Sequence, residues 1–440
     1  LYLAGKEVNM SAAPSPQPTP KYQTLTALTS LRRSALHSHY RRVVDDLKDD
    51  NTFPRLAAFL PQNIWAWARN YLKYAFRHKH PFQTYRTTGE RGVYQLQATD
   101  GGQVFKLSIA GDWGTGTFEA AEVAKAMLAF DPDYTLHIGD IYYVGDEREV
   151  SENCLGKTEF GYQGVTWPKG KIGSFSMNGN HEMYANGDGY FKLLLPNLGI
   201  PTSEDKRQLA SFFCLENATW RIIALDTGYN SIGLPILGQI PLINLIPGVG
   251  ASFKLRPESL DWLRDVVRPQ ERPRATILLT HHQCFSAFEA AYPQAAKQLK
   301  DLFAGQEIIW LWGHEHRWAV YDRCSLGGIT SYARCIGHGG MPVQIAEPND
   351  SAPVLFFDER VYGQKGCTKF GVNGFLNMKF AGNTVTFDHR DVHDKSVLVE
   401  SFTALAPGRF AQKFDYVHSE ISRQSGPSAE ASQAGGAPAP

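Results

Sequence analysis

The sequence carries no excess charge of either sign, because 44 Lys and Arg residues balance 44 Asp and Glu residues. Balanced charge offers no electrostatic footprint for a nucleic acid, so no nucleic-acid partner is expected. Cysteine is scarce, and its six residues form no CxxC pair, which favours free thiols in a reducing compartment over a disulfide scaffold. No charged segment followed by an apolar one marks a secretory signal. The default expectation is therefore a cytoplasmic protein, although a signal that had been trimmed away would leave the same sequence.

Uninterrupted hydrophobic runs are also missing. The stretch 232–253 holds no charged residue, but Pro235, Pro241, Pro247 and four glycines interrupt it, which excludes a membrane-spanning helix. We interpret it as an ordered apolar loop. It either lies at the mouth of an active site, as a lid or a lodging for an apolar substrate group, or packs against the N-terminal helices.

What is present describes a globular protein with room for one large domain and an addition. The chain has 440 residues, of which 43% are hydrophobic and 12% aromatic. Pro- and Ser-rich composition before residue 21 and Ser, Gly, Ala and Pro after residue 426 indicate disordered ends. The predicted divisions are a lead-in at 1–21, a helical N-terminal extension at 22–85, a catalytic domain at 86–405 and a C-terminal tail at 406–440.

The helical extension has two unlike faces. Apolar and aromatic residues share one stripe of its second helix, and basic residues spaced four apart share another. Such a helix either docks on the catalytic domain or lies on a membrane surface as a peripheral contact. The apolar stripe comprises Ile64, Trp67, Ala68, Tyr71 and Ala75, and the basic stripe comprises Arg69, Lys73 and Arg77.

Predicted strands that alternate with predicted helices support an α/β fold with several local elements. Gly92–Leu96 and Val104–Ile109, separated by the turn Thr99–Gly102, predict a β-hairpin. A late hairpin is predicted from Phe370–Phe380 and Thr384–Asp391. A helix is expected over 118–130, an irregular polar loop over 147–173, and a strand over 341–345.

Five β-rich apolar runs share one feature, because each ends by presenting Asp, Asn or His. Metal sites are built in this way, with ligands that converge from several strand ends. The sequence therefore predicts a metal centre. The run 105–110 leads into Asp112, and the run 134–138 leads into Asp140. Asn180 and His181 follow the run 174–177, His281 and His282 follow 275–280, and His314 and His316 follow 308–312.

Tyr143 adds a phenol to this set, three residues after Asp140. At that spacing both oxygens can face one cation. Carboxylate and phenolate are hard anionic donors that suit a highly charged metal.

The ordered set GD, GD, GNH, H and GHxH resembles the calcineurin-like metallophosphoesterase superfamily. The forms GDxG at Gly111–Gly114 and GDxxY at Gly139–Tyr143 are similar to the purple acid phosphatases in particular. The wider superfamily has a His two residues after the first Asp, where this chain has Gly114. The resemblance covers roughly residues 104–320 and implies an α/β/β/α sandwich, with two facing mixed sheets, helices outside and metals at one rim. It leaves the N-terminal helical extension unexplained.

The resemblance also implies a set of ligands. Asp112, Asp140, Tyr143 and His316 would hold a first metal, and Asp140, Asn180, His281 and His314 a second, with Asp140 bridging the two. Because a phenol normally keeps its proton to about pH 10, a strong Lewis acid such as Fe(III) is implied for the first position. The neutral Asn180 and two imidazoles suit a divalent Fe, Zn or Mn.

Several roles remain alternatives at this level. His181 would either act on the substrate, by polarising the phosphate or protonating the leaving oxygen, or orient a ligand from behind. Spacing alone leaves open whether His281 or His282 is the ligand, and the family's VxxH pattern maps onto Leu278–His281. Glu182 is expected to orient a neighbouring group and Glu315 to point away from the metals. His338 either reaches the substrate or is a turn residue.

The function implied by the resemblance is hydrolysis of a small-molecule phosphate ester by a metal-bound hydroxide. The form of the motifs favours a phosphomonoesterase similar to purple acid phosphatases. The alternative is a phosphodiesterase on the same metal core, and a further one is a non-catalytic scaffold that has kept the fold. Neither the substrate nor the oligomeric state is predicted.

Overall fold

The computed structural model describes residues 74, 77–87, 90–157, 164–198, 208–232, 251–365 and 368–424. The predictions for the lead-in, for most of the helical extension, for residues 233–250 of the apolar stretch and for the end of the tail lie outside these residues. Within the described ranges, no helix is both long enough and apolar enough to cross a membrane. The five cysteines in these ranges are free thiols, as predicted for them.

Most of the described chain is β-strand, and nineteen strands occur in these ranges. They are β1 (Val93–Gln95), β2 (Val104–Ala110), β3 (Tyr134–His137), β4 (Gly173–Ser176), β5 (Phe213–Glu216), β6 (Trp220–Leu225), β7 (Ala275–Thr280), β8 (Glu307–Trp312), β9 (Trp318–Tyr321), β10 (Cys324–Leu326), β11 (Ile329–Ile336), β12 (Val354–Phe357), β13 (Gly363–Lys365), β14 (Thr368–Phe370), β15 (Gly374–Ala381), β16 (Thr384–Asp391), β17 (Ser396–Ala406), β18 (Arg409–Val417) and β19 (Ser422–Arg423).

The strands form two large mixed sheets. One has ten strands in the order β1-β5-β6-β7-β8-β11-β9-β12-β19, with β10 paired to β11. The other has seven strands in the order β18-β17-β16-β15-β2-β3-β4, and β13 and β14 form a separate pair. Within the first sheet β6, β7, β8 and β11 run parallel, and within the second β2, β3 and β4 run parallel. Ligands bind outside the carboxyl ends of such strands, so these ends are where a site is expected.

The helices in the described ranges are short. They are α1 (Phe118–Ala129), α2 (Glu147–Asn153), α3 (Asn180–Tyr184), α4 (Leu195–Leu198), α5 (Pro257–Trp262) and α6 (Gln294–Leu299), with a 3-10 turn at Tyr85–Thr87 and π-helical turns at Gly189–Leu194 and Leu263–Val267. Thr117 begins α1, because its hydroxyl accepts the backbone N–H of Ala120.

Apolar side chains fill three layers, which makes the described chain an α/β/β/α sandwich, as predicted. A central cluster that includes Leu107, Leu136 and Leu279 lies between the sheets. A second cluster packs α5 and α6 against the ten-stranded sheet, and a third packs α1 and the turn at Gly189–Leu194 against the seven-stranded one. The inner strands β6, β7 and β8 are buried on both faces, which explains why their sequences are mostly apolar.

The predicted hairpin at 92–109 is wrong. β1 pairs in parallel with β5 of the ten-stranded sheet, whereas β2 pairs with β3 and β15 of the other. The turn at 99–102 therefore crosses between sheets. The alternation of apolar and polar residues could not reveal which sheet β1 joins. Tyr94 and Leu96 are buried in the central cluster between the sheets, and a strand of either sheet would place apolar residues there.

Three further differences concern local elements. The segment 147–173, predicted to be irregular, begins with α2, which Asp146 caps by accepting the Glu149 N–H at 2.9 Å. The predicted strand at 341–345 is reduced to one isolated bridge at Val343. The seven-stranded sheet continues through β18, so the predicted domain boundary at 405 falls inside a β-hairpin. The late hairpin of β15 and β16 is confirmed.

Candidate metal centre

Carboxylate, amide and imidazole groups from both sheets meet at the carboxyl ends of the parallel strands. Asp112 follows β2 by two residues and is fully buried. Its Oδ2 accepts the backbone N–H of His314 at 2.8 Å, which ties the end of β2 to the turn after β8 in the facing sheet. Its Oδ1 lies 3.4 Å from His316 Nε2.

Asp140 follows β3 and contacts two of the histidines, His181 and His281. Its Oδ1 accepts the backbone N–H of His181 at 3.0 Å and lies 3.3 Å from His281 Nε2. Oxygen or nitrogen atoms of Asp112, Asp140 and His281 lie within 4.8 Å of one another. This central position is the one that the resemblance implies for a bridging carboxylate.

Asn180, the first residue of α3, presents its amide oxygen to two imidazoles. Its Oδ1 lies 3.2 Å from His281 Nε2 and 3.0 Å from His314 Nδ1. The other nitrogen of His281, Nδ1, lies 2.9 Å from the carbonyl oxygen of Ile138, which acts only as an acceptor. His281 Nδ1 therefore carries the hydrogen, and its Nε2 is the atom turned towards Asn180 and Asp140.

The structure brings one residue to this place that the sequence did not single out. The Tyr142 hydroxyl oxygen lies 2.8 Å from Asp112 Oδ1, 3.0 Å from Asp140 Oδ2 and 2.9 Å from His316 Nε2. Tyr143 lies beside it and packs against two small apolar clusters, one of Tyr142 and Met341 and the other of Tyr74, Val144 and Ala185. The assignment of Tyr143 as a ligand stays a prediction, and Tyr142 is a second candidate. Two consecutive tyrosines in a turn carry no pattern that would have distinguished them.

His181 and His282 flank the cluster. His181 Nδ1 lies 2.7 Å from the Tyr143 carbonyl oxygen, and its Nε2 lies 3.8 Å from Asp140 Oδ2. His282 Nδ1 lies 3.0 Å from Thr227 Oγ1, which also accepts the backbone N–H of His282 at 3.1 Å. Ring nitrogens of His281, His282 and His314 lie within 4.8 Å of one another. In this arrangement His281 contacts Asp140 and Asn180, whereas His282 contacts Thr227.

Two glycines keep the centre open. A Cβ on Gly179 would lie far inside van der Waals contact of Asp140 Oδ1 and 2.7 Å from His281 Nε2. A Cβ on Gly313 would lie 2.5 Å from Asp112 Oδ2. The glycines before Asn180 and His314 are therefore required by close approach, because any side chain there would fill the space among the candidate ligands.

Three residues around the centre, Glu182, Glu315 and His338, are placed by their contacts. Glu182 Oε2 accepts the Gly179 N–H at 2.8 Å, so it orients the turn before Asn180, as expected. Glu315 is fully buried, and its Oε2 accepts the Ser286 hydroxyl at 2.8 Å. His338 is buried too, and its carbonyl oxygen accepts the Asn373 side-chain amide at 2.9 Å.

Charges in the centre strongly affect one another. Burial opposes ionisation of Asp140, but the imidazoles of His281 and His181 outweigh it and hold the pKa of that carboxyl well below its ordinary value. Burial lowers the pKa of His281, but the Asp140 carboxylate outweighs it and raises that pKa to about 10. For His314 burial dominates, followed by repulsion from His281, and its pKa falls to about 3.

The donor set fits a cation. Oxygens of two buried carboxylates face the Tyr142 hydroxyl, which has one proton to share between them, so acceptors outnumber donors here. Burial and these two carboxylates raise the pKa of Tyr142 well above its ordinary value. A cation held by Asp140 would replace the extra proton of His281, because metal ligands bind in their deprotonated forms. Carboxylate, amide oxygen and imidazole together suit first-row metals.

Comparison with known proteins gives a family match over the part of the chain that holds these residues. Residues 105–318 match the model of the calcineurin-like phosphoesterases. A comparison of the sequence with curated proteins found no match.

Solved structures with a similar arrangement share little sequence with this chain. GAP50, the anchor in the inner membrane complex of Plasmodium, is 12% identical, with 68% of this chain and 88% of that chain covered and a TM-score of 0.43. PhoD is 13% identical, with 72% of each chain covered and a TM-score of 0.43. Vacuolar protein sorting 29 from Cryptosporidium parvum is 11% identical, with 73% and 100% covered and a TM-score of 0.26.

Proposed function

Because the chain carries a calcineurin-like phosphoesterase domain, we propose that it is a metal-dependent phosphoric ester hydrolase, and more specifically a phosphomonoesterase similar to purple acid phosphatases. The observation that carries the proposal is the convergence of Asp112, Asp140 and His281 within 4.8 Å, with Asn180 against His281 and His314.

We assign the candidate ligands to two positions. Asp140 would be shared, His316 and Asp112 would serve one position with Tyr142 or Tyr143, and Asn180, His281 and His314 would serve the other. Fe(III) with a divalent Fe, Zn or Mn is the pair that this donor set suits best. Bound there, two cations would supply Lewis acidity to the phosphoryl oxygens and would activate water.

His181 is the residue that we propose to exchange a proton with the ester. Its Nδ1 lies 2.7 Å from the carbonyl oxygen of Tyr143, which can only accept a hydrogen bond, so Nδ1 carries a hydrogen. Nε2 is therefore the atom available for proton exchange. The ring is half-buried, and its Nε2 lies 3.8 Å from Asp140 Oδ2. Nε2, when protonated, would donate to the leaving oxygen.

The Tyr143 carbonyl that orients His181 is itself held in place. The Glu149 carboxylate accepts the backbone N–H groups of Tyr143, Val144 and Gly145 at 2.6, 2.7 and 2.8 Å. Three hydrogen bonds to one carboxylate fix this turn. Glu149 is therefore a positioning residue for the proposed proton donor.

The proposal is tested by hydrolysis of para-nitrophenyl phosphate and its bis-ester by metal-loaded protein. Removing an outer partner of a ligand commonly costs 10–100-fold, so His314→Ala should lower the rate by more than about 100-fold. The exposed His393, replaced in the same way, is the control and should leave the rate unchanged. Faster turnover of the bis-ester would favour the phosphodiesterase alternative. No metal-dependent hydrolysis would support a non-catalytic scaffold. Measurable and equal rates for wild type and His314→Ala would show that hydrolysis does not depend on the proposed centre.

A further inference from the structure

Two half-buried aromatic rings lie against the histidine side of the candidate centre. Phe253 and Tyr292 stack with ring centroids 3.9 Å apart and an interplanar angle of 28°. Phe253 lies 4.8 Å from the ring of His282, and Tyr292 lies 5.6 Å from His282 and 5.9 Å from His314. We call Phe253 and Tyr292 the aromatic wall. Because His282 is buried and the wall is partly exposed, the wall forms part of the boundary between the imidazoles and solvent.

Hydrogen bonds fix the backbone at Tyr292 and close to Phe253. The Tyr292 N–H donates to the carbonyl oxygen of Gln283 at 3.2 Å, and the Gln283 side-chain amide donates to the carbonyl oxygen of Ala290 at 2.8 Å. Two residues after Phe253, the Leu255 N–H donates to Gln298 Oε1 at 2.8 Å, and Gln298 Nε2 donates back to the Leu255 carbonyl at 3.0 Å. The backbone that carries the two rings is therefore fixed and the rings pack on each other, which lowers the entropy lost when a ligand binds to them.

His282 supplies a second, polar observation beside the wall. Its Nδ1 faces Thr227, whereas its Nε2 is buried and has no hydrogen-bond partner among the described residues. Buried polar atoms are normally satisfied, so an unpartnered one next to exposed aromatic surface indicates a position that a ligand completes.

We propose that the aromatic wall binds the leaving group of the ester and makes the enzyme selective for planar aromatic leaving groups. A planar ring can stack on the partly exposed faces or edges of Phe253 and Tyr292, and aromatic pairs gain energy beyond the area that they bury. A small alkyl group can bury area there but cannot stack. This inference rests on the proposed phosphoesterase function and adds the class of substrate to it.

A different role for the wall is to shield the imidazoles from water without contacting the substrate. In that case loss of a wall ring would affect all phosphate esters alike. Selectivity between two esters therefore separates the two roles, and comparing each variant with wild type on the same ester cancels the intrinsic reactivities of the esters.

The test uses Phe253→Leu and Tyr292→Leu, with Tyr362→Leu as a control. Tyr362 is a half-buried tyrosine whose ring lies 5.6 Å from His393, in a surface groove formed with α1. Binding of phenylphosphonate and methylphosphonate to metal-loaded protein is measured by calorimetry. Values of kcat/KM are measured for phenyl phosphate and methyl phosphate.

We expect each wall variant to lose about 2- to 10-fold in affinity for phenylphosphonate and in kcat/KM for phenyl phosphate, the range typical of one aromatic pair. Values for the methyl compounds and for Tyr362→Leu should stay within error of wild type. Equal losses on phenyl and methyl compounds, or no loss on either, would overturn the inference and leave the phosphoesterase proposal standing. Selective loss of phenylphosphonate binding in a protein that hydrolyses no ester would support the wall as a ligand site and overturn the phosphoesterase proposal.

Discussion

Replacing Gly179 by alanine should weaken metal binding by more than about 100-fold without unfolding the chain. The new methyl group would overlap Asp140 Oδ1 and would lie 2.7 Å from His281 Nε2. To restore an ordinary contact, the carboxylate has to move by about 1 Å or more. Coordination distances are fixed to about 0.2 Å, so such a movement removes a ligand. Overpacking of this kind costs about 1–3 kcal/mol of stability, which a domain of this size tolerates.

The expected loss of metal affinity is larger than the expected loss of folding stability. Asp140 and His281 are both displaced, and even loss of an outer partner commonly costs 10–100-fold in metal affinity, so the Gly179→Ala variant should bind metal more than about 100-fold more weakly. Metal content after loading and dialysis, measured by elemental analysis, is the assay. Thermal unfolding of the metal-free protein is measured alongside.

A glycine in a different setting provides the control. Gly382 has a φ of +59°, and a Cβ there would meet nothing within 4 Å. Gly382→Ala should therefore lower stability by about 1–2 kcal/mol through backbone strain and leave the metal content unchanged. The reasoning is refuted if Gly179→Ala binds the same amount of metal with the same affinity, because Asp140 and His281 would then not be ligands in this geometry.

Three further predictions concern the buried ion pair between the sheets and the tyrosine pair. Arg334 donates to both Glu400 oxygens, at 2.6 and 2.5 Å, so Arg334→Met should lower the free energy of unfolding in urea by about 3–5 kcal/mol. The double variant Arg334→Met with Glu400→Gln should recover part of this loss. Equal stability of the single and the double variant would contradict the prediction. Burial opposes ionisation of Glu400, but Arg334 outweighs it and lowers the pKa from 4.5 to about 2. This shift contributes roughly 3 kcal/mol to the free energy of unfolding, which is present above pH 4.5 and lost as pH falls towards 2. The stability of Glu400→Gln should therefore fall less on acidification than that of wild type. The same dependence of stability on pH in both proteins would refute this prediction. With Fe(III) loaded, a phenolate charge-transfer band should disappear in Tyr142→Phe or in Tyr143→Phe, and the variant that loses it identifies the ligand, while a band retained in both removes tyrosine from the ligand set.

The strands that carry the site could be predicted because each has two independent signals. Runs such as Ala275–Thr280 are mostly apolar, as expected of strands buried on both faces, and a ligand residue or a Gly turn follows at once. Parallel pairing then places the ends together without further information, which is why residues as distant in sequence as Asp112 and His314 could be grouped. At all five of these strand ends the observed strand stops within one residue of the predicted run, as Ala275–Thr280 and Tyr134–His137 illustrate.

The remaining features depend on long-range or dihedral information that periodicity does not contain. β1 has the same alternation whether it pairs with β2 or β5, and only tertiary packing decides between them. In the turn after Asp140, the backbone dihedrals decide whether Tyr142 or Tyr143 faces the carboxylates. Asp146 caps α2 in a segment whose polar composition otherwise indicates a loop.

Backbone conformation at the ligand positions shows how the fold and the site are linked. Asp112, Asp140 and His314 have φ values of 56°, 73° and 65°, in the left-handed region that costs a residue with a Cβ about 1–2 kcal/mol. Each directly follows a glycine, just beyond the end of a strand buried in a large sheet. The stability of the sheets offsets the conformational cost of these turns. The turns in return bring oxygen and nitrogen atoms from both sheets to one place. A substitution that relaxed one turn would therefore favour the metal-free fold at the expense of the site.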